Sequence, residues 1–275
     1  MVNDFAQPGE TVELPTLQGR LEQSDVTADL TGAGLLVDRV ELIARLYKEH
    51  QSWAEVREIW HSQRISERGS RGSAQKIFRI LRRRLQTGAS HLPSVPQLAE
   101  ILDACRGERA KAQLVYLYLV EADSLVKYVL HEILRDSKPD ANQWDLSSDR
   151  LMRILDEFRD ADGEPLRYAT STRKRLVEGI RSVLHEIGVR KRPYDDEGVV
   201  PTLDREVLLV AAGYSWSKEG DRWQSSPVGL LYLFQPVHHL DTLFDRVNAD
   251  PTWSTRNFQN QVMLHPEDDP FSFEL

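Results

Sequence analysis

Cysteine is almost absent from the 275-residue sequence, where Cys105 stands alone. A single cysteine excludes an intramolecular disulfide framework and a cysteine-rich zinc module, and it fits a reducing, cytoplasmic setting. Long apolar runs are also missing. The longest, 114–120 (LVYLYLV), 207–214 (VLLVAAGY) and 228–234 (VGLLYLF), fall well short of the about 20 residues that a bilayer span needs. No membrane association is therefore expected. The opening residues MVNDFAQPGETVELPTLQ lack the basic-then-apolar order of a signal peptide. Catalytic motifs are equally scarce. There is no G-x-x-x-x-G-K-[ST] loop, no G-x-G-x-x-G, no G-x-S-x-G and no H-E-x-x-H, which argues against a nucleotide-driven motor, a dinucleotide enzyme, a serine hydrolase and a zinc protease.

The weaker chemical candidates each have an ordinary explanation. His238–Asp241 (HHLD) offers two adjacent histidines that point about 100° apart on a helix, which suits a helix face better than a metal. The stretch 160–164 (DADGE) lacks the full calcium-loop register and reads as a turn. Asp195, Asp196 and Glu197 sit beside Pro193 and Gly198 and read as a loop. Cys105 has no obvious histidine partner and reads as a small buried side chain. The expectation is a protein with no cofactor, no metal and no catalytic residue.

What the sequence does contain is an uneven charge distribution. The chain carries 35 Lys/Arg against 43 Asp/Glu, a formal charge of −8. Yet residues 64–84 hold eight Lys/Arg and one Glu, and residues 167–192 hold eight Lys/Arg and two Glu. These windows carry +7 and +6, so everything else sums to −21. Such segregation points to a polyanionic partner.

Hydrophobic spacing places both windows on helices. Residues 1–24 read as a flexible arm. An N-terminal helical domain is expected over 25–137. A second domain is expected over 143–265, helical to about 190 and mixed over 200–265, followed by an acidic tail, 266–275. In the first domain Leu36, Val40, Ile43, Ala44 and Tyr47 recur at helical spacing. A short helix follows, with Ser52 as N-cap and Glu55 three residues on. After an Arg/Gly/Ser loop comes a basic helix from about Ser73 to Gln86, a helix-turn-helix-like order with a long loop. Two further helices are expected over 96–106 and 108–135, and another begins near Ser171 and ends before Gly188. The fold class is mainly α: a two-lobed helical protein with a helix-turn-helix-like N-terminal part and a smaller mixed α/β C-terminal region.

On the first basic helix Ala74, Ile77, Phe78, Leu81 and Leu85 form the apolar stripe. Lys76, Arg79, Arg82 and Arg83 lie opposite, flanked by Arg84 and supplied by Arg64, Arg68 and Arg71 from the loop. Arginine's planar fork and close backbone approach at Gly69 and Gly72 suit phosphate oxygens. The alternative is a solvated face paired with the protein's own acids. In the second window, with Thr170 or Ser171 as N-cap, Arg173, Lys174 and Arg175 fall in the first turn, against the helix dipole. Either a bound phosphate or a salt bridge to Asp160 or Asp162 would compensate. Apart from the inward-facing Phe78, aromatics are not interleaved within the basic runs, which favours duplex over stacked single strands.

The stretches VTADLTGAGLLVDRVELIARLY, SAQKIFRILRRRLQTG and RYATSTRKRLVEGIRSVLHEIGV, in that order and spacing, resemble the BrxA family of BREX bacteriophage-defence systems. The likeness runs from about residue 25 to 190 and more faintly through SSPVGLLYLFQPVHHLDTLFDRV. The resemblance implies a helical, non-enzymatic component, similar in fold to a helical RNA-binding antitermination factor and associated with double-stranded DNA. It also implies partners in the same system: a DNA methyltransferase, an ATPase and a phosphatase-like protein. Lys76, Arg79, Arg82, Arg83, Arg84, Arg173, Lys174 and Arg175 fall in the matching stretches. Two other functions compete with duplex binding: an assembly adaptor docking acidic partner proteins, and RNA binding.

Overall fold

A computed structural model describes residues 26–32, 34–62, 71–136, 143–258 and 261–272. The expected arm (1–24), the loop residues 63–70 with Arg64 and Arg68, and the end of the acidic tail lie outside the described residues. The architecture is mainly helical, with a small antiparallel hairpin near the C-terminus.

The first half contains α1 (Val37–His50), α2 (Trp53–Ser62), α3 (Arg71–Gly88), α4 (Val95–Ala104), α5 (Glu108–Ala122) and α6 (Ser124–Asp136). The periodic positions behave as their spacing implies. Val40, Ile43 and Ala44 are buried on α1, and Ala74, Ile77, Phe78, Leu81 and Leu85 on α3. The Ser52 hydroxyl accepts from the Glu55 amide at 3.3 Å, half of a capping box. The long helix expected over 108–135 is two. Asp123 breaks it, its carboxylate accepting from the Val126 amide at 3.2 Å and so capping α6. The all-round apolar pattern hid this break, because Leu114 to Val120 are buried on every side and α5 packs on α3, α6, α8 and α9.

The second half begins with β1 (Gln143–Asp145) and α7 (Ser148–Glu157), then α8 (Thr170–Glu186) and β2 (Glu197–Val199). β1 and β2 pair antiparallel with Trp144 opposite Gly198. Gly188, with φ +84°, follows α8 as the expected left-handed residue. Next come α9 (Arg205–Glu219), α10 (Val228–Tyr232), α11 (Leu240–Asn248), β3 (Trp253–Phe258) and β4 (Gln261–Pro266), the last two forming the hairpin. The strands of this region thus follow α11, while the apolar run 228–234 is helical to Tyr232 and ends in a turn. Beyond β4 the acidic end is docked: Gln97 donates to the Asp269 carboxylate at 2.7 Å, and Phe271 lies against Gly213.

One continuous cluster of buried side chains runs from Val26 to Leu264, joining both halves of the chain. Within it α9 and α10 approach closely at the backbone. A Cβ on Gly229 would stand 2.2 Å from the Ala211 carbonyl oxygen. Buried Ser215 bridges the same place, donating to that carbonyl at 2.7 Å and accepting from the Gly229 amide at 2.9 Å.

Gly229→Ala is expected to lower stability by about 1–3 kcal/mol, since a backbone carbonyl cannot step aside. Gly72→Ala, where the new methyl meets nothing within 4 Å, should leave the urea midpoint within about 0.5 kcal/mol of wild type. A second prediction concerns His131, buried 2.9 Å from the Tyr232 hydroxyl. Burial, helped by Lys127, pushes its pKa down to about 4. The folded state therefore keeps the imidazole neutral while the unfolded chain takes up a proton below pH about 6.5. Stability should fall between pH 6.5 and 4 by up to about 3 kcal/mol on this account. Urea titrations of His131→Gln should show a shallower fall over that window.

Candidate nucleic-acid interface

The two basic helices meet a common segment. Residues 26–32 and 34–36 lie along a strap containing a 3-10 turn, Asp29–Thr31. Leu30 is buried against Gly179 of α8, where a Cβ would come within 3.1 Å of its Cγ. The Tyr168 hydroxyl donates to the Val26 carbonyl at 3.0 Å, and the Thr27 hydroxyl donates to Asp123 at 3.1 Å. From the other side α3 holds the same strap. Arg83 lies 3.1 Å from the Asp29 carboxylate, and Arg84 donates to the Gly34 carbonyl at 2.7 Å. The Lys76 ammonium stands 3.8 Å from where a Cβ on Gly32 would be.

Helical geometry then orders the cations. Lys76 and Arg83 are seven apart on α3 and share the row facing the strap. On α8, Arg175, Gly179 and Glu186 form the opposing row, with Gly179 on Leu30 and Glu186 near Gly34. Lys174 stands on the other edge of α8, in line with Arg181 two turns on. Lys76, Arg79, Lys174 and Arg175 are exposed and make no ion pair with any described residue.

The remaining expected contacts divide. Arg82 lies 5.5 Å from the Trp53 ring centroid and donates to Gln86 at 3.0 Å, which holds it along α3. Arg83 is partly committed to Asp29. Arg84 is buried, 3% exposed, and turned toward the strap. Burial lowers its pKa to about 10, so it stays charged at neutral pH, with Asp123 and Asp29 nearby. Asp123, itself buried, has its pKa raised by that burial, against the opposing pull of the Val126 amide and Arg84. Arg71 opens α3, but its side chain, like Arg64 and Arg68, lies outside the described residues.

The second window needs a correction. α8 begins at Thr170 with Ala169 as N-cap, so Arg173 is the fourth helical residue. The three cations sit beyond the turn in which the dipole acts strongly, and the expected penalty is largely absent. Arg173 binds Asp156 of α7, not Asp160 or Asp162. Asp160 is buried and accepts from the amides of Asp162 and Glu164 at 3.0 and 2.8 Å, closing the 160–164 turn.

One arginine of the same window has a role its sequence position did not reveal. Arg190 is 2% exposed and donates to the carbonyls of Asp195 at 2.7 Å, Arg181 at 2.9 Å, and Pro193. Arg181 meanwhile binds Asp196 at 2.7 Å and Ser148. Together they fold the loop 190–196 back along α8. The only hint in the sequence was the run R-K-R-P-Y, in which an aromatic follows the cations.

Among the described residues no cluster of three or more His, Cys, Asp or Glu could hold a metal ion, and no helix is long and apolar enough to cross a membrane. The buried Cys105 thiol has its pKa pushed up to about 12 by burial, the opposite of an activated nucleophile. A groove of about 810 Å³ at the start of α1 is lined by Arg39 and Arg109 but also by Asp38, Glu108 and Glu186, so its charge is mixed.

The BrxA family model matches residues 26–210, which contain the strap, both basic helices and the loop 190–196. The chain belongs to the BrxA family. Membership places it in BREX bacteriophage defence. No curated protein and no solved structure matches the chain. In this BrxA-family fold, the matched region begins at Val26, the residue whose carbonyl Tyr168 holds.

Arg84→Met should cost about 1–3 kcal/mol by deleting a buried charged donor and leaving its partners unmatched. Amide exchange across 26–36 should accelerate more than across α9. Equal protection of the strap in variant and wild type would show that Arg84 does not anchor it.

Proposed function

We propose that this BrxA-family chain is a duplex-DNA-binding component of BREX defence that catalyses no reaction of its own. The observation carrying this reading is the arrangement of Lys76 and Arg79 on α3 and Lys174 and Arg175 on α8. Lys76 lies beside the strap and Arg175 shares the strap-facing row of α8, with Arg79 and Lys174 on the adjoining helix faces; all four are exposed and make no ion pair with any described residue. In a chain of net charge −8, unpaired cations on two helices joined by a shared strap form a local positive surface amid general repulsion. Such a surface attracts a regularly spaced anion and resists adhesion elsewhere. Backbone phosphates need only position and charge, which exposed Lys and Arg supply without base-specific geometry. Arg84 and Arg173, committed within the fold, are not assigned to the interface.

Binding of a labelled duplex should weaken steeply with salt. With about 6–8 phosphates neutralised, log K should fall with a slope near −5 to −7 against log salt. The quadruple reversal of Lys76, Arg79, Lys174 and Arg175 to Glu should remove the salt-sensitive binding at low ionic strength. Unchanged affinity would overturn the reading. Loss of co-purifying partner proteins in that variant, with no duplex bound by wild type, would support the adaptor function instead.

A further inference from the structure

The loop 190–196 presents the most exposed large hydrophobic side chain among the described residues. Tyr194 is 69% exposed, and the only other large hydrophobic more than about a third exposed is Val237, at 38%. An isolated exposed aromatic needs no explanation on its own. The loop that carries it does. Arg190 buries its guanidinium and donates from each of its three nitrogens, to the carbonyls of Asp195, Arg181 and Pro193. The Arg192 amide donates to the Asp195 carboxylate at 3.0 Å, and Arg181 reaches the Asp195 carbonyl at 3.3 Å. Burying a charged arginine is costly unless its donors are met, and here three are met by backbone carbonyls, two from this loop and one from α8.

The result is a loop held rigid around side chains that point outward: Lys191 and Arg192, both exposed, and Tyr194. The Arg192 guanidinium carbon lies 5.9 Å from the Tyr194 ring centroid, and its Nη1 donates to the Tyr194 hydroxyl at 3.2 Å. No aromatic ring among the described residues stacks on Tyr194. The adjoining acids are largely engaged: Asp196 with Arg181, Asp195 with the Arg192 amide, while Glu197 begins β2. Because the loop folds back to Arg181, it lies about 10 Å along α8 from Lys174, seven residues at 1.5 Å each.

We propose that Tyr194 is a stacking platform for an unpaired base, with Lys191 and Arg192 on the neighbouring phosphates, so that the protein prefers a duplex next to a single strand over a blunt duplex. A ring fixed beside cations is the combination that single-strand-binding surfaces use, and stacking on it is worth about 1–3 kcal/mol per base. Bases inside a duplex are stacked on one another and offer no free face, so the platform has an occupant only where pairing ends. This inference rests on the duplex-binding reading, with the duplex on α3 and α8 and the loop engaging the strand that leaves it.

The test measures affinity of the full chain, by fluorescence anisotropy, for a blunt duplex and for the same duplex carrying a short single-stranded overhang. Wild type is expected to bind the overhang substrate about 5- to 150-fold more tightly, the range that one stacked base supplies. Tyr194→Ala should abolish that preference and leave blunt-duplex affinity unchanged, while Tyr194→Phe should keep it. Equal affinity of wild type for both substrates overturns the inference and leaves the duplex reading intact. The same holds if Tyr194→Ala weakens both substrates equally. Failure of wild type to bind either one overturns both. A Tyr194→Ala effect confined to co-purification of a protein partner, with both DNA affinities unchanged, assigns the loop to protein docking and overturns the inference.

Discussion

The strap at 26–36 is the contact on which the interface depends. It is held by groups that are costly to bury and are therefore made to count. Arg84 donates to the Gly34 carbonyl, Thr27 to buried Asp123, and Tyr168 to the Val26 carbonyl, while Leu30 fills the space that Gly179 leaves open. A buried arginine or aspartate that loses its partner costs several kcal/mol, so the strap has little freedom to sit elsewhere. Through it, helices about 100 residues apart in sequence come to flank one short segment. The two helices also share α5, which packs on both.

The same structure redistributes the charge that the sequence displays. Of the basic residues in the two windows, several are consumed by the fold. Arg83 faces Asp29, Arg173 binds Asp156, Arg181 binds Asp196, and Arg84 and Arg190 are buried on carbonyls. The acidic remainder is thus partly a set of internal partners and partly a surrounding field. What is left outward is smaller and better defined than either window, and each cation that the fold does not bind has been spared a local use.

Much of the helical plan was legible because amphipathic periodicity is a local property. The buried stripe of α3, Ser52 before α2 and Gly188 after α8 were all apparent from spacing and cap chemistry. Asp123 was not, since a run that is apolar on every side carries no phase from which a break could be seen. Within the mixed region expected over 200–265 the place of the hairpin was not legible, since the apolar run 228–234 carries no period of its own; close backbone packing at Gly229 and a hydroxyl bridge through Ser215 hold 228–232 as helix against α9. In the second window the dipole argument failed because α8 starts at Thr170, one residue earlier than a Thr170 cap allows and two earlier than a Ser171 cap allows.

By itself, the sequence determined that the protein is mainly helical, that its cations are gathered in two windows, and that these lie on helices with committed apolar faces. These follow from neighbours within one or two turns, where the 3.6-residue period and the side chains' own chemistry decide. Only the tertiary structure decided which arginines are free. Arg84 turns inward because Gly34 and Asp123 wait there, and Arg190 is buried because a loop's carbonyls converge on it. A guanidinium's fate depends on the solvation it loses and the partners it gains, and the partners of Arg84 come from 50 residues before it in the chain and 39 after it.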